Sequence, residues 1–226
     1  MQIATDVTER RTTTDMVFDR LYEEIVSLTL LPGTKLSEVE IAKRFGVSRQ
    51  PVRDAFNKLK SQDLLLIRPQ KATEVRGFSM ERIAHERFVR LAVELEVIRR
   101  ACANWKPENC EILRGNLAQQ MDAMERDQPE TFHALDYDFH QQICELGGHR
   151  LAFDTIRECK RKIDRLCVLS LGRKSEIDTL YQDHCDLVEA LGERDAAKAE
   201  DVIRTHLGRL DGTITEIHSM NTEYFE

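Results

Sequence analysis

The 226-residue sequence has no apolar run approaching the ~18 residues that a membrane-spanning helix needs. Its opening, MQIATDVTERRTTTD, is polar and lacks the apolar stretch of an export signal, so the expected location is cytoplasmic. There is also no C-x-x-C pair. The six cysteines, Cys102, Cys110, Cys144, Cys159, Cys167 and Cys185, all fall after residue 100. That distribution argues against a zinc ribbon or a dithiol redox site. It favours reduced thiols acting as small buried hydrophobes. No internal repeat, low-complexity stretch or long linker interrupts the chain.

What is present describes a globular protein: 41% hydrophobic and 32% charged residues, with a net charge of -7. The length suits one large domain or two small ones. Charge is unevenly divided. Residues 1–77 hold 13 Lys+Arg against 11 Asp+Glu, whereas the remainder holds 20 against 29. Only the N-terminal third is fit to meet a polyanion.

That third has a definite grammar. Val17, Phe18, Leu21, Ile25 and Leu28 predict a helix over residues 16–28. Pro32-Gly33 then suits the centre of a type II turn. In LSEVEIAKRFG, Ser37 and Glu40 have capping-box spacing, with Leu36 placed to staple onto Ile41. Gly46 ends this helix, and Ser48 caps another two residues later. In GVSRQPVRDAFNKL, Val52, Ala55, Phe56 and Leu59 mark an apolar face, while Arg49, Arg53, Asn57 and Lys60 mark the opposite one. Pro51 sits in the first turn, where a missing N–H does little harm, and it fixes where the helix begins. LLLIRPQKATEV follows as a β-hairpin. Helix, helix, tight turn, helix and hairpin predict a winged helix-turn-helix, whose second motif helix enters the DNA major groove. The candidate DNA contacts are Ser48, Arg49, Gln50 and Arg53 at the start of that helix, with Lys71 at the wing tip.

Strand grammar stops near Gly77-Phe78. The expected division is a DNA-binding domain over residues 1–77 and a helical domain over 78–226. In the latter, six helices are expected, at about 79–103, 107–126, 128–146, 149–171, 174–192 and 195–219, forming an antiparallel bundle. The fold class is thus mainly α. Four polar residues stand where apolar stripes should continue. Asp136 and His140 lie at i, i+4 beside Phe132, Phe139 and Ile143; His184 lies among Leu180, Leu187, Val188 and Leu191; His206 lies among Val202, Ile203 and Leu210. Burying them unpartnered would cost about 1–3 kcal/mol per group. Either one divalent metal (Zn, Ni, Mn or Fe) shared between three helices satisfies them, or they form a hydrogen-bonded polar core. His133 is a rival ligand.

LSEVEIAKRFGVSRQPVRDAFNKL resembles the DNA-binding motif of GntR-type bacterial transcription regulators. LDYDFH and DHCDLVEALGERDAAKAEDVIRTHL are similar to the C-terminal FCD domain of the FadR subfamily, and six bundle helices suggest its shorter, VanR-like branch. The resemblance implies that Asp136, His140, His184 and His206 bind a divalent metal. It also implies a homodimer on a palindromic operator, controlled by a small carboxylate effector that reaches the metal. Arg90 is the candidate for the effector carboxylate, with an i, i+4 ion pair to Glu94 as its alternative. The wing departs from the family pattern, since PQKAT has no glycine at its tip, which places minor-groove readout in doubt. Two other readings are a regulator whose signal is the metal itself, and a metal-dependent enzyme. No separate general base accompanies the four ligands, and the chain is expected not to be an enzyme.

Overall fold

A computed structural model describes residues 12–169 and 174–226, in two compact units. One runs up to Phe78 and includes Glu223–Glu226; the other is Ser79–Thr222. The polar N-terminal segment, up to residue 11, lies outside the described residues, as do Gly172 and Arg173 of the expected GRKS loop.

In the first unit, α1 (Thr13–Val26) packs on α3 (Arg49–Ser61), with the shorter α2 (Glu38–Phe45) beside it. Val17, Leu21 and Ile25 of α1 and Val52, Ala55, Phe56 and Leu59 of α3 are buried in one core. The apolar spacing read from sequence therefore finds its partners. Helix starts differ in detail. α1 begins three residues earlier than expected, because Thr12 and Asp15 form a reciprocal capping box. Ser37 occupies the N-cap of α2 without a side-chain hydrogen bond, so the expected box with Glu40 does not form; backbone bonds and acidic first-turn residues hold that end instead. Gly46 ends α2 with φ +67°, the left-handed conformation that glycine adopts without strain.

The hairpin of β2 (Leu65–Leu66) and β3 (Thr73–Val75) forms as expected. The short strand β1 (Lys35–Leu36) adds on the far side of β3, giving the order β1-β3-β2, all antiparallel. At the glycine-free wing tip, Lys71 N–H bonds to Arg68 C=O at 3.3 Å, and Gln70 itself takes φ +59°. The C-terminal residues also join this unit. Phe78 N–H donates to Tyr224 C=O at 2.8 Å, Glu226 N–H donates to Phe78 C=O at 2.7 Å, and Arg76 pairs with the Glu226 carboxylate at 2.9 Å. A Cβ on Gly77 would come within 2.9 Å of Tyr224 O, so this close approach requires glycine there.

The second unit is a bundle of α4 (Met80–Ala103), α5 (Pro107–Glu125), α6 (Pro129–Leu146), α7 (Ala152–Cys167), α8 (Lys174–Gly192), α9 (Ala196–Gly208) and α10 (Leu210–Met220). Pro107 and Pro129 open α5 and α6, where the lost N–H is harmless. The sixth expected helix is in fact two. It breaks at Gly208-Arg209, where the Arg209 side chain turns back to fork onto Asp183 of α8 at 2.5 and 2.7 Å. Leu113, Phe139, Cys144, Leu191 and Ile203 lie at the centre of the bundle core. Among the described residues, no helix is long and apolar enough to cross a membrane.

Candidate functional site

The tight turn after Gly46 sets the start of α3 at the surface. Ser48, Arg49, Gln50 and Arg53 are all exposed there, as Lys71 is at the wing tip. Ser48 is the N-cap and Pro51 the third helical residue. Arg53 is not loose: its Nε and Nη2 donate to the two oxygens of Glu38 at 3.2 and 3.0 Å, and Arg49 Nη2 donates to the same carboxylate at 3.1 Å. The Arg53 hydrogen bond holds the Glu38 carboxyl below its ordinary range. Gln50 donates to Asp54 at 2.9 Å. The exposed basic face is thus drawn together around one carboxylate on α2.

In the bundle, Asp136, His140, His184 and His206 are all buried, and each offers one ligand atom within 4.8 Å of the others. His133 is exposed, which removes it as a rival. Each imidazole is oriented by a neighbour at Nδ1. His140 Nδ1 lies 2.8 Å from Glu94 Oε2, His184 Nδ1 lies 2.9 Å from Gln120 Oε1, and His206 Nδ1 lies 3.3 Å from Asp183 Oδ2.

The direction of the His184 bond is fixed by its neighbours. Asn116 Nδ2 donates to the Leu135 carbonyl at 3.1 Å, an atom that can only accept. Asn116 Oδ1 therefore accepts from Gln120 Nε2 at 2.6 Å, which leaves Gln120 Oε1 to accept from His184 Nδ1–H. His184 Nε2 is consequently a bare lone pair. It is buried without a hydrogen-bond partner, 3.3 Å from Asp136 Oδ1. Two electron-pair donors facing each other at that distance repel, and a cation shared between them removes the conflict. Arg90 Nη2 lies 3.4 Å from His140 Nε2, and since arginine only donates, that nitrogen too carries a lone pair. The residues present fit a divalent metal: the imidazoles are oriented through Nδ1 to hydrogen-bonding oxygens, as metal-bound histidines commonly are.

The electrostatics agree. Burial drives the pKa of His206 down to about 4, against the opposing pull of Asp183, and burial also lowers that of His184; both are held neutral, as ligands must be. Burial works to raise Asp136, but Lys160 and the surrounding histidines bring it well below the carboxylate range. Lys160 Nζ takes the far oxygen of Asp136, Oδ2, at 3.1 Å, leaving Oδ1 toward the imidazoles. Asp183, despite burial, is lowered to about 2 by the Arg209 fork and His206. Around the four residues Arg90 answers Glu94, Lys160 answers Asp136 and Arg209 answers Asp183. A divalent cation would add two positive charges to a balanced set.

The ion pair given as the alternative reading of Arg90 is present. Arg90 Nε pairs with Glu94 at 2.6 Å, and the Arg90 side chain also lines a cavity of about 370 Å³. Arg87, Phe88 and Leu91 of α4, Ile163 of α7 and Arg204 and Leu207 of α9 line the same space. Residues 13–75 match the model of the bacterial regulatory proteins of the gntR family, and residues 87–209 match that of the FCD domain. The chain belongs to the GntR family. It is a DNA-binding transcription regulator of the GntR/FCD type, with the winged helix and bundle described above. The HTH-type transcriptional repressor RspR of Escherichia coli (strain K12) is 36% identical over 225 residues, covering 100% of this chain and 99% of that one. An HTH-type regulator from Streptomyces ambofaciens is 31% identical over 218 residues, covering 96% and 92%. The Escherichia coli McbR/YncC structure shares the fold, with a TM-score of 0.69 at 19% identity over 91% of this chain and 98% of its own.

Sequence reasoning found the four clustered residues but not the shell that aims them. Glu94, Asn116, Gln120 and Asp183 are all buried. A signal existed in α5, where Leu113, Asn116, Leu117 and Gln120 share one helical face, so two amides interrupt an apolar stripe.

Proposed function

We propose that this GntR regulator binds a palindromic operator as a homodimer and that a small carboxylate effector, bound at a divalent metal in the bundle, controls its affinity for DNA. α3 enters the major groove, with Ser48, Arg49, Gln50 and Arg53 on DNA and Lys71 on phosphate beside it. Asp136, His140, His184 and His206 hold the metal; Zn, Ni, Mn and Fe all suit a set of one carboxylate and three imidazoles. The metal supplies a Lewis-acidic centre to which an effector oxygen binds.

The observation that carries the metal is the bare Nε2 of His184 facing Asp136 Oδ1. An anionic effector follows from charge, because metal loading leaves the buried set with excess positive charge that a carboxylate offsets. Arg90, between His140 and the cavity, is its second anchor. The cavity favours an organic effector over the metal alone as signal. Similarity to RspR supports repression as the mode of action. Metal analysis of the purified protein, followed by a thermal-shift screen of organic acids with and without chelation, tests the reading. Metal-dependent stabilisation by an acid that also weakens operator binding is expected. A metal-free protein indifferent to added cations, or an acid that is turned over, refutes it.

A further inference from the structure

Three arginines line the cavity, Arg87, Arg90 and Arg204, together with one acid, Asp211. Arg90 and Leu91 lie three and four residues beyond Arg87, so the three side chains share one face of α4. Arg90 reaches inward to His140, whereas Arg87 is only partly buried and lies one turn away, about 5 Å along the helix. Arg204 of α9 also lines the cavity, and Leu91, Ile163 and Leu207 are part of its apolar lining. Arg87 is already engaged by a carboxylate, since it forms an ion pair with Asp211 in the first turn of α10, and Asp211 lines the same cavity. The chain thus demonstrates the geometry with one of its own acids: a carboxylate fits against Arg87 at the edge of the cavity.

We propose that the effector is a dianionic acid, with one carboxylate at the metal and Arg90 and the second taken by Arg87 and Arg204 in place of Asp211. This rests on the effector reading above and names its ligand class: short-chain dicarboxylic acids. Monocarboxylic acids of the same length leave the Arg87–Asp211 pair intact and gain nothing at the outer end.

The test uses full-length protein reconstituted with Zn²⁺, and two probes matched in chain length, 2-hydroxyglutarate and 2-hydroxyvalerate, flanked by dicarboxylates from malonate to adipate with their monocarboxylate counterparts. Dissociation constants come from titration calorimetry. At least one dicarboxylate is expected to bind about tenfold more tightly than its monocarboxylate partner, the scale of one charge-assisted contact. Arg87→Gln should erase that difference, and Asp211→Asn, which releases Arg87, should widen it. Equal binding of the two classes, or a preference untouched by Arg87→Gln, overturns the assignment. Binding by monocarboxylates or sugar acids alone overturns it too, yet leaves the single-carboxylate reading standing. Failure of every acid to bind the Zn²⁺-loaded protein overturns both.

Discussion

Glu38 holds Arg53 through both of its oxygens, at 3.2 and 3.0 Å, across the turn that joins α2 to α3. In the DNA-free protein this carboxylate stands where a phosphate or a base edge would compete for the same guanidinium. Arg53 is half exposed, so the pair contributes little to stability. Its consequence is for binding. Glu38→Gln should strengthen binding to non-specific duplex at low salt, because one competing anion is gone. Fluorescence anisotropy against random-sequence DNA measures this, and unchanged or weaker affinity would count against it.

Arg53→Ala should abolish sequence-specific binding while the fold survives, since Arg53 is exposed on the second turn of α3. An arginine reading guanine carries about 1–3 kcal/mol of discrimination. Arg49→Ala, one turn closer to the helix start, should instead weaken all sequences alike and flatten the salt dependence by about one unit of slope. Wild-type operator affinity in the Arg53 variant would sink the docking of α3.

At the wing, Gln70 takes the left-handed conformation in which a glycine would be unstrained. Its side chain therefore occupies the tip, next to the exposed Lys71. Lys71→Ala should lower affinity about equally for operator and random DNA. A change in base preference beside the half-site would mean that the wing reads the minor groove.

For the bundle, His184→Ala and His206→Ala should each lower metal content and effector response while operator recognition persists. Gln120→Ala removes no ligand. It does remove the acceptor that fixes the His184 tautomer, so metal affinity should fall about 10- to 100-fold. Competition with a chromophoric chelator gives the number. An unchanged affinity would show that the amide chain does not orient His184.

Acid should act in a defined direction. His206 titrates at about 4 when folded, against 6.5 when free. Between those values the unfolded chain binds the extra proton, so the metal-free protein loses stability as pH falls through this window. Protons also compete with metal for the same nitrogens. The gap in melting temperature between metal-loaded and chelated protein should therefore shrink as pH approaches 4, where the folded His206 itself takes up a proton. Melting curves from about pH 8 to 3.5 with and without chelator read both effects, and a gap that persists unchanged through pH 4 would refute imidazole ligation.

The sequence made α3 and the four clustered residues legible because both follow helical spacing: apolar at 52, 55, 56 and 59, and an acid and an imidazole four apart at 136 and 140. It hid whatever depended on packing between helices. Asp183 neighbours a histidine in sequence but faces Arg209 and His206 of another helix in space. β1 is two residues long and exists only because β3 offers an edge. Ser37 and Glu40 had the correct spacing for a box that does not close, whereas Thr12 and Asp15 formed one unannounced. Local pattern states what a segment can do; the tertiary setting selects which of the options occurs.

The pairing of Phe78 with Tyr224 and Glu226 gives the chain an unusual connectivity. The polypeptide passes between its two units twice, after residue 78 and again after residue 222, rather than once. The second passage follows directly from α10, the helix after the one bearing His206. A cut after residue 78 does not excise the complete unit, because it leaves Glu223–Glu226 behind. A tag fused at either end would sit on the unit that meets DNA, since α1 and Glu226 both belong to it.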